Sequence, residues 1–358
     1  MISYELTTEQ KIIRETITEF AQAELRPQTR RLDDDCRLDA GVLDQLWSTG
    51  IIQGIAAAGE GERSAVTSAI VLEELAAADA TPAMAVACTM GFVGAIVDQG
   101  TARQRGELLQ AFTGDVFQAA AVAAMEPMFG FDVSRLGTKA ARTGDVFIVR
   151  GKKAMVPLAG RCSHFLVIAE SNGAAEALIV PKAARGVSIG KSKETLGLRA
   201  LELAEVSFED VAVPAAMRLG EGCDVQRIID AARVALAAIM TGLSRGVVEY
   251  VVPYVKDRIV HGTALAKKQT IAFNVADMHM ETEAMRWMTW KAAWALEAGQ
   301  PVTQLAQLAY TYASQQVVVI ADNGLQAMGG HGFTKGHPME LWYRNARAVS
   351  VFEGAVGV

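Results

Sequence analysis

Few constellations in the 358-residue sequence announce a chemistry by spacing alone. The four cysteines, Cys36, Cys88, Cys162 and Cys223, lie far apart with no Cys-x-x-Cys pair, and the five histidines show no ligand spacing. Reduced thiols are therefore expected, with neither a disulfide framework nor a structural metal. No carboxylate, Glu353 beside Gly354 included, is singled out by spacing alone. Read without its surroundings, Glu353 is by default a solvated acid near a frayed end.

Composition narrows the setting. Acidic residues outnumber basic ones, 40 to 34, for a net charge of −6, so there is no electrostatic footprint for a nucleic-acid backbone. A 51% hydrophobic, 21% charged chain of this length is expected to form two or three compact domains, which excludes collagen-like and disordered readings. No apolar run approaches the roughly 18–20 uninterrupted residues of a membrane span, and Met1-Ile2-Ser3-Tyr4-Glu5 lacks the order of a signal peptide. The expectation is a soluble, cytoplasmic protein without membrane insertion.

The elements that must position these residues fall into three blocks. From Leu6 to Leu25, Ile13, Ile17, Phe20, Ala21 and Leu25 recur at helical spacing, with Thr7 or Thr8 as N-cap and Pro27 just beyond. Further helices are expected at Gly41 to Trp47, Ser64 to Ala78, Thr81 to Gln99 and Ala102 to Phe112, with a loop at Ala57-Ala58-Gly59-Glu60-Gly61. From Asp115 the texture turns to short β-branched or alternating segments at Gln118–Ala124, Thr138–Ala141, Val146–Val149, Phe165–Ala169, Ala177–Val180 and Ala204–Phe208. The helical period returns in three long runs, Ile228–Val255, Gln269–Glu297 and Thr303–Met328, which imply a bundle. Within it Met278, Met280, Met285 and Met288 fit a core or subunit seam better than a ligand box. The reading is α+β, with a helical domain over 1–114, a β-domain over 115–220 and a helical bundle over 221–358.

Several separate segments carry a resemblance. Leu6-Thr7-Thr8-Glu9-Gln10, Val71-Leu72-Glu73-Glu74-Leu75-Ala76 and Gly100-Thr101 stand in the first block; Glu126-Pro127 with Gly130 and Asp132, Gly151-Lys152-Lys153 and Phe208-Glu209-Asp210-Val211 in the second. The last block holds the most specific run: Gln326-Ala327-Met328-Gly329-Gly330-His331-Gly332-Phe333, Pro338-Met339-Glu340, Tyr343-Arg344-Asn345-Ala346-Arg347 and Phe352-Glu353-Gly354. In this order and spacing, from about Leu6 to Glu353, they resemble the acyl-CoA dehydrogenase family of flavoproteins.

The resemblance implies that family's architecture: an N-terminal helical domain, a middle β-barrel or sandwich, and a C-terminal four-helix bundle. It implies α,β-dehydrogenation of an acyl thioester, acyl-CoA or one tethered to an acyl-carrier protein, with FAD as hydride acceptor and an electron-transfer flavoprotein or similar partner. Glu353 matches the family's base; the other position that supplies a base in some members is Ala232 here. Phe131, Asp230, Arg233, Phe352 and Gly354 fall where substrate is bound, although Arg233 reads equally as the anchor of a neighbouring loop. FAD in the family lies across a dimer interface. Arg258, Gln269, Gln326, Gly329 and Gly330 match its pyrophosphate and adenosine half-site, and His261 stands where an aromatic is common, either stacking on the cofactor or ending a surface helix.

The flavin-ring half-site departs from the pattern. Met125 precedes Glu126 where a threonine is usual, Phe131 replaces a serine, and Ala154-Met155-Val156-Pro157 replaces a run ending in tryptophan, isoleucine and threonine. Pro157 lacks even a backbone N–H to stand in for a hydroxyl. Two assemblies are therefore open: a homotetramer that binds its own FAD, or a half-site subunit of an α₂β₂ heterotetramer that completes a partner's FAD site.

Overall fold

The computed structural model describes residues 5–58, 63–128, 131–133, 135–354 and 356–358. Gly130, Ala355, the Gly59-Glu60-Gly61 part of the expected loop and the first four residues lie outside them.

Local chemistry starts the N-terminal helices. Helix α1 (Thr8–Phe20) opens with a reciprocal cap: the Thr7 hydroxyl accepts the Gln10 N–H at 3.1 Å while Gln10 accepts the Thr7 N–H at 3.0 Å. Pro27 does not end the helical path as expected. A π turn (Ala21–Leu25) and a 3₁₀ turn (Arg26–Gln28) carry the chain into α2 (Thr29–Asp35), because Pro27 sits in a first turn, where no N–H partner is lost. Helices α3 (Ala40–Ser48), α4 (Ile51–Ala57), α5 (Ala65–Ala78), α6 (Ala80–Gln99) and α7 (Ala102–Leu108) follow, of which α4 has too short a period to be read in the sequence.

Asp79 caps α6, accepting the Thr81 N–H at 2.9 Å, yet it is fully enclosed. Burial pushes its pKa up from 3.8 to about 6, against the hydrogen bond from Thr81. The folded state thus binds more protons than the unfolded state between those values, and this group's contribution, full below pH 3.8, is lost as pH rises through about 6. Asp79→Asn keeps the capping oxygen and removes the buried charge. We expect it to stabilise the protein by about 1–2 kcal/mol at pH 7 and not at pH 4, read from urea midpoints.

The middle block is one seven-stranded sheet, mostly antiparallel: β1 (Ala119–Ala123), β2 (Lys139–Thr143), β3 (Val146–Val156), β4 (Cys162–Ser171), β5 (Ala174–Pro181), β6 (Val187–Ile189) and β7 (Ala204–Pro214). Strands β1 and β2 both run parallel to β4 on successive stretches of it, and β5 pairs antiparallel with β4 over its whole length. Strands β3 and β7 extend well past their expected ends because each covers the other from Val146↔Pro214 to Val156↔Ala204.

The C-terminal block is α8 (Val225–Asp257), a small hairpin β8 (Ile259–Val260) and β9 (Thr263–Ala264), α9 (Gln269–Glu297), α10 (Thr303–Ala327) and α11 (Met339–Val349). Helix α11 is the fourth member that the three long sequence runs did not contain. A Cβ on Gly242 or Gly246 of α8 would lie 2.1 Å from the Glu73 carbonyl or 2.3 Å from that of Ala77, so these glycines let α8 lie directly on α5. Helices α6 and α8 are long and apolar enough to cross a membrane by length and composition. Both are largely buried inside the fold and serve as core helices.

Candidate active site

Glu353 follows α11 at the junction of the bundle with the sheet. Its carboxylate Oε1 accepts two hydrogen bonds from Arg233 on α8, from Nε at 2.9 Å and Nη2 at 2.5 Å. Arg233 is held in turn by Asp230 one turn earlier, at 3.2 Å. Asp230 is 1% exposed and its oxygens are taken by Gln226 at 2.9 Å, Thr303 at 2.6 Å and Arg233. Expected at the substrate, Asp230 instead braces Arg233 from inside. Phe352 is corrected likewise: its side chain is in the core at 1% exposure, and only its carbonyl contributes, accepting the Tyr310 hydroxyl of α10 at 2.5 Å.

That hydroxyl stays protonated. Burial, with the nearby Glu353 carboxylate, pushes the Tyr310 pKa up to about 12. No local pattern singles out Tyr310 or Thr303, since both act across the bundle. Gly354 has φ +69°, and a Cβ there would meet Ala124 Cβ at 2.9 Å and Ile229 Cδ1 at 3.0 Å. The chain then runs between α6 and α8, with Gly357 N–H donating to the Ala87 carbonyl at 3.0 Å and Val356 and Val358 buried.

The sheet closes the other side. Met125, just past β1, lies under the Glu353 backbone, its sulfur accepting that N–H at 3.4 Å, while its carbonyl accepts the Ala154 N–H at 2.8 Å. Next to it Lys153, 0% exposed, donates to the Ala124 carbonyl at 2.9 Å and to Glu126 at 2.8 Å. The Glu126 carboxylate also accepts the N–H groups of Gly137 at 2.6 Å and Thr138 at 2.8 Å. Burial lowers the Lys153 pKa to about 8 against the pull of Glu126. Burial alone would raise Glu126, but Lys153 and Thr138 outweigh it and hold that carboxyl below its usual range. The Glu126-Pro127 and Lys152-Lys153 motifs are thus one buried ion pair fixing the strand end beside Glu353. Phe131 packs half-buried against the core, and Pro157 is buried, its carbonyl facing the Cys88 and Cys162 thiols at 3.7 Å each.

A second group lies at the opposite end of α8. Arg258, its C-cap, is about 25 residues beyond Arg233, about 37 Å at 1.5 Å per residue. Here His261, at φ +53°, and Gly262 turn the β8–β9 hairpin, and Gln269 begins α9. Tyr254 brings in the end of α10: its hydroxyl donates to the Met328 carbonyl at 3.2 Å and meets His331 Nδ1 at 2.9 Å. Gln326, Gly329 and Gly330 are exposed at this end, and a Cβ on either glycine would meet open space. Among the described residues the Arg258, Gln269 and Gln326 side chains are exposed donors that make no hydrogen bond, a set that fits a pyrophosphate.

The fit to FAD is thus uneven. The bundle end presents unspent donors and small residues, whereas at the sheet end Met125, Phe131 and Pro157 offer no side-chain hydroxyl. The structure gathers Met125, Asp230, Arg233, Phe352, Glu353 and Gly354 at one place and Arg258, His261, Gln269, Gln326, Gly329 and Gly330 at another, about 37 Å away along α8.

Comparison with known proteins agrees along the whole chain. Family profiles described as acyl-CoA dehydrogenase N-terminal, middle and C-terminal domains match residues 7–114, 121–211 and 220–358. The chain is 29% identical over 364 residues to the mitochondrial short/branched chain specific acyl-CoA dehydrogenase of Bos taurus, covering 98% of this chain and 84% of that protein. It is 28% identical over 366 residues to the short-chain specific acyl-CoA dehydrogenase of Clostridium acetobutylicum, covering 99% and 96%. The solved structure of butyryl-CoA dehydrogenase from Megasphaera elsdenii superposes with a TM-score of 0.90 at 27% identity, covering 98% of this chain and 96% of that one.

Proposed function

The chain belongs to the acyl-CoA dehydrogenase family, and from that premise we propose that it carries out FAD-dependent α,β-dehydrogenation of an acyl-CoA with Glu353 as the base. The observation that carries this reading is the asymmetry of the Glu353 carboxylate. Arg233 occupies Oε1 twice, while Oε2 accepts no hydrogen bond among the described residues. The carboxylate is therefore held in one orientation with an acceptor oxygen left for the α-proton.

Arg233, braced by Asp230, sets the angle of the carboxylate. Tyr310 fixes the peptide that precedes it, and Met125 packs beneath it. Bound FAD supplies the hydride acceptor for the β-hydrogen. Arg258, Gln269 and Gln326, with backbone at Gly329 and Gly330 and the His261 ring beside them, would hold its pyrophosphate and adenosine end. Because these residues lie about 37 Å along α8 from the base, they serve the FAD of a second subunit, so the active unit is at least a dimer and a tetramer by doubling. An electron-transferring flavoprotein as acceptor and a cytoplasmic location complete the proposal.

The sheet side favours a second reading. Without hydroxyls at Met125, Phe131 and Pro157, each unmet flavin acceptor costs about 1–3 kcal/mol, which fits a subunit that lends its bundle end to a partner's FAD in an α₂β₂ assembly. The experiment is the flavin stoichiometry of the purified chain supplied with FAD, followed by butyryl-CoA under anaerobic conditions. About one FAD per chain with bleaching of the 450 nm region supports the dehydrogenase. A colourless chain that takes up no FAD overturns it in favour of the half-site subunit. Bleaching only by an acyl group on a carrier protein would move the substrate to that class.

A further inference from the structure

We propose that the segment Val356-Gly357-Val358 limits the acyl group this chain accepts, because it fills the crevice into which the substrate's carbon chain would run from Glu353. The inference rests on the reaction proposed above and adds to it a substrate class, short acyl-CoAs. An acyl chain is apolar and must stay out of water once it has passed the base. On the side of α8 and α10, Glu353 is flanked by Arg233, Asp230 and the Tyr310 hydroxyl, and on the sheet side Met125 lies beneath it. The remaining way inward is the crevice between α6 and α8. Its walls include Gly91 and Ala95 of α6, Ile228 and Ala231 of α8 and Leu296 of α9.

The segment is seated in this crevice. Val356 and Val358 are 0% and 1% exposed. The Gly357 N–H donates to the Ala87 carbonyl at 3.0 Å, and Arg63, itself bonded to Asp98 at 3.1 Å, donates to the Val358 backbone oxygen. The backbones of segment and helix touch: a Cβ on Gly357 would lie 2.6 Å from the Gly91 Cα. What is left beside them is a cavity of about 20 Å³, room for about one water. Val356 comes three residues after Glu353, at most about 10 Å along the chain. A short acyl group therefore ends before the valines, and a longer one has to drive them out.

The test is titration calorimetry of the full chain supplied with FAD, using butyryl-CoA and octanoyl-CoA. With the segment seated, octanoyl-CoA should bind no more tightly than butyryl-CoA. Two variants change the segment and leave Glu353 and the crevice walls as they are: Val356→Ala combined with Val358→Ala shortens the plug, and Gly357→Ala unseats it through the clash with Gly91. In each, octanoyl-CoA should gain at least about tenfold over butyryl-CoA, since a further buried methylene is worth roughly fourfold in affinity. Hydrogen exchange supplies a second readout, in which octanoyl-CoA speeds exchange of the Gly357 amide in the parent and butyryl-CoA does not. Circular dichroism melts check that each variant folds, and the valine pair decides if Gly357→Ala does not. A parent that already favours octanoyl-CoA tenfold, or variants that keep the parent's ratio, overturns the plug. Bleaching of the flavin by butyryl-CoA in that case leaves the reaction standing without it. A shifted preference with no bleaching by either acyl-CoA keeps the plug and removes the reaction.

Discussion

Glu353→Gln is expected to lower turnover by about 10²–10⁴-fold while leaving FAD content and thermal stability close to those of the parent. The amide is the same size and its oxygen can still accept from Arg233, so the loop between α11 and the buried tail keeps its course. What it loses is the basic oxygen facing outward, since an amide nitrogen donates and cannot take a proton from carbon. The loss should therefore fall on kcat and kcat/KM together, because a base acts in the transition state and not in the ground-state complex. Anaerobic mixing with butyryl-CoA reads it as slowed bleaching of the flavin. Undiminished bleaching would remove Glu353 from the chemistry and leave it as an ion-pair partner of Arg233.

The largest expected effect on stability comes from Glu126→Gln, at about 3–5 kcal/mol near neutral pH. The substitution retains an oxygen for the Gly137 and Thr138 N–H groups but strips Lys153 of its counter-charge in a site with no exposure. The pH dependence follows from the direction of the Lys153 shift. With a folded pKa of about 8 against 10.5 unfolded, the unfolded chain binds more protons in that window, so stability from this group rises as pH rises through it. Without Glu126 the folded value falls further, and the deficit of the variant should be largest near pH 6.5 and shrink by pH 9. Urea midpoints at the two pH values check this. A second change, Lys153→Met, should recover most of the loss by removing the unpaired cation. Because Ala124 and Met125 border both the pair and Glu353, the single variant should also slow turnover where the double restores stability.

The sheet end beside Glu353 ties these expectations together. A sheet end that lacks hydroxyls at Met125, Phe131 and Pro157 can still hold a flavin through backbone groups, but only if their positions are fixed. The Lys153–Glu126 pair and the Met125 carbonyl bond to Ala154 are the contacts that fix them.

Much of this was legible from residues in order. The helical period, the threonine cap before the first helix and the Gly329-Gly330 run depend on spacings of a few residues, and they stand where the sequence puts them. The family resemblance could be drawn from separated motifs because each motif keeps its own local geometry. Helix α4 and strand β6 escaped notice because segments this short complete too few periods to stand out. Pro27 misled because proline stops a helix only from its interior.

By itself, the sequence determined the three blocks and the lack of hydroxyls at Met125, Phe131 and Pro157, since these follow from residue type and near-neighbour order, and its separated motifs carried the family resemblance that pointed to Glu353. Only the tertiary structure decided what each charge meets. It turned Asp230 from a substrate contact into the brace of Arg233, sent Phe352 into the core and joined Glu126 to Lys153. It also brought in Tyr310 and set Glu353 far from Arg258 of the same chain. Those outcomes depend on which helix faces which, and that is fixed by packing summed over the whole core, which no local spacing encodes.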